Sequence, residues 1–230
     1  MKTFEQIKQE IKRFCDIYNF EFKKLNNKEL DLYTLKGNIR IIDKQDNYCL
    51  GTFYVSYIID LTRYLKNDGS FFSYPNKLPC VKLLNHDEYK KNDFHIDKNG
   101  CCCLAPDAEC FYILEKDYSL VDFTERLVIP FFAALLYKAE TDKWPYGDYS
   151  HFTMGLFEYY EQKLKVDKEH IIDAMNILVD NKRLERNSIC FCGSERKYKK
   201  CHLVILEDVH RKVDKFYLKR DFKILETKNN

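Results

Sequence analysis

The chain has 230 residues, 45% of them hydrophobic and 32% charged, with 38 Lys and Arg against 36 Asp and Glu. A net charge of only +2 excludes a strongly basic nucleic-acid footprint, and the hydrophobic share suits a folded core in one domain with an appendage or in two small domains. The longest apolar run, residues 127–136, contains Pro130 and is too short to span a bilayer, and the first residues hold no apolar signal core. The expectation is a cytoplasmic protein with no membrane and no direct nucleic-acid partner, in which ten cysteines point to metal binding or catalysis rather than structural disulfides.

In chain order, Phe4, Ile7, Ile11, Phe14 and Tyr18 recur at spacings of three and four, so residues 1–19 predict an amphipathic helix with Cys15 buried beside its apolar face. Residues 26–28 predict a turn. Residues 30–35 alternate at period two, Lys36-Gly37-Asn38 predicts another turn, and residues 39–42 continue as strand. Residues 47–61, with Gly51 inside, predict a long strand or a bulged pair. Residues 66–70 form the next predicted turn, Pro75 and Pro79 restrict their own stretch to extended or edge conformation, and residues 81–84 are a last short strand. Cys49 and Cys80 fall in strand-like segments and read as core; His86 reads as a surface loop residue.

Residues 105–108 predict a loop, and Cys110 reads as core ahead of a resolving thiol. Asp122-Phe123-Thr124-Glu125 fits a capping box. Leu127, Val128, Phe131, Phe132, Leu135 and Leu136 then make the apolar stripe of a crossover helix, which Pro130 should kink or whose true start it should mark. Trp144, Gly147, Asp148 and His151 form a dense stretch leading into a helix over 156–164, with packing and capping read ahead of catalysis. A further helix capped by Asp167 turns Ile171, Ile172, Met175, Leu178 and Val179 inward. Val209, Val213, Phe216 and Tyr217 give the tail helical periodicity, as a partner helix or as a solvated end.

Cys190-x-Cys192, eight residues, then Cys201-His202 supplies three thiolates and one imidazole. Four such ligands suit a closed tetrahedral zinc site, with no position left for a catalytic water. Gly193-Ser194 permits a tight turn after the second thiolate, and the Lys and Arg residues between offset thiolate charge. So small a unit takes its folding energy from the ion. The segment resembles the short zinc motif at the tail of the SecA translocation ATPase (SEC-C), which implies a structural Zn2+ and recruitment of a protein partner.

Phe94-His95-Ile96-Asp97-Lys98-Asn99-Gly100-Cys101-Cys102-Cys103-Leu104 places His95 eight residues before Cys103, and Tyr74-Pro75-Asn76-Lys77-Leu78-Pro79 stands some twenty residues earlier. The two segments resemble the active-site region of ubiquitin-conjugating enzymes, where Tyr-Pro-x-x-(x)-Pro precedes a histidine and Gly-x-x-Cys-Leu carries the thioester-forming thiol. Gly100-x-x-Cys103-Leu104 fits that element. The eukaryotic enzymes carry His-Pro-Asn; read without a gap, His95 takes the asparagine's place, and with a two-residue deletion Asp97 does. The short spacing is more similar to bacterial ubiquitin-conjugating-like proteins, some encoded in anti-phage operons.

The resemblance implies an α+β ubiquitin-conjugating-enzyme-like fold of N-terminal helix, antiparallel meander sheet and crossover helices, plus a small helical and zinc appendage. The charged stretch 161–168, with Lys163, Lys165 and Lys168, marks the expected break, giving 1–165 for that domain, 166–188 for a helical connector, 189–203 for the zinc motif and 204–230 for the tail. Cys103 would hold the C-terminal carboxyl of a donor protein as a thioester and pass it to an amine. His95 would orient the loop or donate to the oxyanion. Asp97 either steers or deprotonates the incoming lysine, or shapes the turn beside Asn99-Gly100. The implied donor is a ubiquitin-like protein or a nucleotidyltransferase, the cyclic-oligonucleotide synthase of CBASS anti-phage defence. No glycine loop for ATP is present, so a separate activating enzyme or another route charges the donor. The alternative is a conjugating fold without turnover, an adaptor tethered by its zinc motif. A papain-like thiol hydrolase lacks its family's local signature.

Overall fold

Thr3 opens the first helix with a reciprocal cap: its Oγ1 accepts the Gln6 N–H and its own N–H donates to Gln6 Oε1. Helix α1 (Phe4–Tyr18) buries Ile7, Ile11, Phe14 and Cys15 on one face and ends where Asn19 turns left-handed at φ 53°. The computed structural model describes residues 2–26, 31–62, 64–65, 71–72, 74–75, 77–84, 89, 92–115, 117–145, 150, 153–180 and 184–229. They fall into two units, Met1–Ala105 with Asp117–Tyr146, and Pro106–Lys116 with Gly147–Asn230.

In the first unit α1 precedes strands β1 (Glu21–Asn26), β2 (Asp31–Asp43), β3 (Tyr48–Asp60), β4 (Tyr64–Leu65), β5 (Phe71–Phe72) and β6 (Cys80–Leu83). The main sheet is antiparallel in the order β1-β2-β3-β6, and β4 pairs with β5 separately. Period-two burial selects the inner face: Leu35, Ile39 and Ile41 on β2, Phe53, Val55, Tyr57 and Ile59 on β3, Val81 and Leu83 on β6. The stretch expected as a long strand or a bulged pair is one long strand that carries a bulge. Ile41 pairs with Gly51 and Ile42 with Cys49, so Leu50 is the extra residue. The expected α+β class, with an N-terminal helix, a four-stranded antiparallel sheet and several helices, is the one observed.

Lys36-Gly37-Asn38 is not a turn. Strand β2 runs straight through it, paired with Ser56, Val55 and Tyr54. Gly37 faces inward, where a Cβ would lie 2.2 Å from the Phe20 ring. That ring is wedged by Phe14 at 5.1 Å and Tyr57 at 5.5 Å between centroids. The glycine is there for the ring's space. Gly37→Ala should therefore lower stability by about 1–3 kcal/mol through overpacking, read as a shift in denaturant midpoint. The shift should shrink in a Phe20→Leu background, because the two sites share one volume. The turns expected at 27–28 and 66–70, and His86, lie outside the described residues.

Asp122 closes a capping box from the other end. Ser119 is the cap, its Oγ accepting the Asp122 N–H at 3.1 Å while the Asp122 carboxylate accepts the Ser119 N–H at 2.8 Å. Helix α3 (Leu120–Phe123) then widens into one π turn, Thr124–Val128, before α4 (Ile129–Thr141). Pro130 sits in the first turn of α4. The wide turn before it spreads the backbone that a regular helix would drive against the proline ring. The crossover stripe is buried at Leu127, Val128, Phe131, Phe132 and Leu135, and Phe132 stacks on Phe53 with centroids 4.4 Å apart. Cys49 and Cys80 are half-buried rather than core. On β6, Val81 and Leu83 take the inward positions, so alternation turns Cys80 and Lys82 to the outer face.

The second unit contains α2 (Asp107–Leu114), α5 (Thr153–Leu164), α6 (Ile171–Asp180), α7 (Leu203–Lys212) and α8 (Lys215–Asn229). The loop expected at 105–108 shrinks to Ala105-Pro106, and Cys110 is buried. Asp167 precedes a 3-10 turn, Lys168–His170, without a side-chain cap bond. The tail forms α7 and α8 and buries Leu206, Val209, Leu218 and Leu225 in its own unit. Buried Asp221 accepts from Tyr160 Oη at 3.0 Å and from Arg220, which also reaches Asp107 at 2.6 Å. Among the described residues no helix is long and apolar enough to cross a membrane.

Candidate functional site

The Gly100-x-x-Cys103 segment is the second limb of a short hairpin laid on the outer edge of β6. Ile96 bridges Cys102, and Asp97 N–H donates to the Cys101 carbonyl at 2.9 Å. The turn is shaped by Asp97, whose Oδ1 accepts the N–H groups of Asn99 and Cys101, both at 2.8 Å. On the other side Lys82 bridges Cys101, with Leu83 N–H donating to the Gly100 carbonyl and Cys102 N–H to the Val81 carbonyl, both at 2.9 Å. Gly100 has φ 81°, and a Cβ there would lie 2.5 Å from the Leu83 carbonyl oxygen. Gly100→Ala should therefore cost about 1–3 kcal/mol and lower the melting temperature, since it strains φ and breaks the contact with β6.

This register sorts the three adjacent thiols. Cys102 points inward beside Ile96, and burial pushes its thiol up to about 12. Cys101 faces outward next to Cys80, the two Sγ atoms 3.4 Å apart. Cys103 is exposed. Its N–H donates to the His95 carbonyl at 2.8 Å, so cysteine and histidine meet across the hairpin through backbone. His95 is left-handed at φ 53°, and its ring lies 5.1 Å from that of Trp144. Trp144 is itself fixed by a bond from Nε1–H to the Asp93 carbonyl at 3.1 Å. The sequence set Trp144 in a separate constellation; the structure brings it to His95. Gly147, Asp148 and His151 lie outside the described residues.

In the second unit the predicted ligands come together. The ligand atoms of Cys190, Cys192, Cys201 and His202 all lie within 4.8 Å of one another. His202 Nδ1 is 3.2 Å from both the Cys190 and Cys201 sulfurs, and the Cys192 and Cys201 sulfurs are 3.6 Å apart. Tetrahedral zinc with bonds near 2.0–2.3 Å separates its ligands by about 3.5–3.8 Å, so the cluster is of the right size. A small local scaffold builds it: Ile189 bridges Lys197, Cys190 N–H donates to the Arg196 carbonyl, and Tyr198 N–H to the Ser188 carbonyl. Gly193 at φ 70° turns the chain between the two limbs.

A residue far along the chain orients the imidazole. His202 Nε2 is 3.0 Å from the Lys165 carbonyl, which can only accept, so Nε2 carries the proton and the Nδ1 lone pair faces the thiols. No spacing rule in the motif points to Lys165. Burial pushes the Cys190 thiol up to about 11. Burial also opposes ionisation of Cys192, but hydrogen bonds with Ser194, Cys190 and Cys201 prevail and pull its thiol down to about 6. Both sulfurs bind a metal as thiolates, so loading the site releases whatever thiol protons remain. Arg196 Nη2 donates to Cys201 Sγ at 3.2 Å and offsets thiolate charge.

Residues 186–203 match the family model of the SEC-C motif. No curated protein and no solved structure matches the chain. The matched residues and the four-ligand cluster coincide, and together they fit residues 186–203 to a metal-binding SEC-C motif.

Proposed function

We propose that this chain is a ubiquitin-conjugating-like acyl transferase with Cys103 as its nucleophile. The observation that carries the reading is the position of Cys103: the exposed thiol of the three, on a glycine-turned hairpin joined to β6, after a helix and an antiparallel meander. The Cys103 thiolate attacks the carbonyl of an activated donor C-terminus, expels the thiol that carried it and keeps the acyl group as a thioester. A target amine then attacks that carbonyl, the Cys103 thiolate leaves, and the amine proton passes to solvent or a base. The Cys103 N–H is committed to the His95 carbonyl, so a donor to the oxyanion has to come from elsewhere; the His95 side chain beside Trp144 is our candidate.

The metal at Cys190, Cys192, Cys201 and His202 is, on this reading, a structural Zn2+. Its shell is filled by protein ligands, so it supplies folding energy and no step passes through it. The setting we assign is cytoplasmic anti-phage defence of the CBASS type, with the C-terminus of a cyclic-oligonucleotide synthase as donor and a separate enzyme activating it. One observation favours a second reading, an adaptor without turnover. Asp97 Oδ1 accepts two backbone N–H groups of its own turn, which gives the carboxylate that would serve as base a turn-shaping role instead.

The test is to purify the chain from its own host without reducing agent. A protein adduct should be present, disappear with excess small thiol, and map by peptide mass spectrometry to Cys103. A thiol-labile adduct on another cysteine would move the nucleophile, and a Cys103 that stays free while its host conjugates would favour the adaptor.

A further inference from the structure

Among the described residues, a pair of reactive groups outside the metal cluster and the proposed nucleophile is held together. Cys80 opens β6 and Cys101 lies on the hairpin strand beside it, and their sulfurs are 3.4 Å apart. The bridge between Lys82 and Cys101 puts Cys80 diagonally across from Cys101 on the same outer face. Both residues are half-buried, so neither is sealed in the core. Closing 3.4 Å to the roughly 2 Å of a disulfide needs side-chain rotation and a small shift of two short segments.

We propose that Cys80 and Cys101 form a reversible disulfide, a redox modification site that staples the hairpin carrying Cys103 to the edge of the sheet. The co-reactant is a small-molecule disulfide of the glutathione class. The Cys101 thiolate attacks one sulfur of that disulfide, forms a mixed disulfide and releases one glutathione thiolate. Cys80 gives its proton to solvent and its thiolate attacks Cys101 Sγ, which breaks the mixed disulfide and releases the second glutathione. Two protein thiols are oxidised, one external disulfide is reduced, and the two protons end on the released thiols. Burial pushes the Cys80 thiol up to about 12, which fits it as the second, resolving partner that reacts once Cys101 is activated beside it. The pair lies on the outer face and is only half-buried, so excess small thiol can reduce the bond and the staple is reversible.

This inference stands apart from acyl transfer, since it needs neither a donor protein nor turnover at Cys103. The full chain, loaded with zinc to shield Cys190, Cys192 and Cys201, is reduced, exchanged into buffers of rising oxidised-to-reduced glutathione ratio, alkylated and mapped by mass spectrometry. Cys80 and Cys101 should lose alkylation together, a linked peptide joining them should appear, and dithiothreitol should restore both. The link should vanish in Cys80→Ser and in Cys101→Ser and persist in Cys103→Ser. Full alkylation of both residues in excess oxidised glutathione overturns the proposal. So does a link that joins either one to Cys103, Cys102 or a second chain. The wild-type map decides even if a serine variant folds poorly.

Discussion

Cys192→Ser should reduce bound zinc from about one ion per chain to a small fraction, because a closed structural site draws an apparent binding energy of about 10–16 kcal/mol from four ligands acting together. The loss should be local at first. Cys190 N–H and Tyr198 N–H, bonded to the Arg196 and Ser188 carbonyls, should exchange with solvent far faster, since those bonds close the limbs that the metal ties. The unit containing α1 and the β-sheet should keep its own melting transition, as none of the four ligands belongs to it. Metal analysis and amide exchange read the two effects separately. Full metal occupancy in the variant removes Cys192 from the ligand set. Metal loss with unchanged exchange means that the local hairpin and the buried Tyr198 and Leu203 side chains hold the segment without an ion.

The metal cluster is legible in the sequence because all four ligands stand within residues 190–202, so local chain geometry is enough to close it. The amphipathic helix, the bulged strand and the crossover stripe are legible for a similar reason: burial on one face imposes a period on neighbouring residues. Gly37 is the instructive failure. Glycine serves either a positive φ or a missing side chain, and only Phe20, brought back across the sheet, tells which use applies. Asp122 shows the same ambiguity, because an acidic residue in the first turn serves equally as a cap or as the third residue of another residue's box. What the sequence withholds at the sites is long-range. His202 takes its orientation from a carbonyl 37 residues away, and Cys101 meets a thiol 21 residues away. Both contacts depend on tertiary packing, which leaves no mark on spacing.

Cys103→Ala should end both adduct and conjugate formation. Removing the nucleophile of a covalent mechanism costs up to about 10⁶ in rate where it has been dissected, so a loss of at least ~10³-fold is the expected scale. Cys103→Ser should instead trap an oxygen ester, which resists the thiol treatment that clears the wild-type adduct. Cys101→Ala should keep the adduct while losing the link to Cys80, so one variant separates the two chemistries assigned to this strand. Cys102→Ala should keep the adduct but melt lower, because that half-buried side chain is paired with buried Ile96. His95→Ala should slow transfer without changing zinc content. Trp144→Ala should slow it in the same direction through the ring that holds His95, with the adduct still on Cys103. Undiminished conjugation by Cys103→Ala with Cys101→Ala also active sinks the transferase reading and leaves the adaptor. A dead Cys101→Ala beside an active Cys103→Ala keeps the chemistry but moves the nucleophile by one strand repeat, to the thiol that already touches Cys80, and glutathione oxidation would then switch the enzyme off directly.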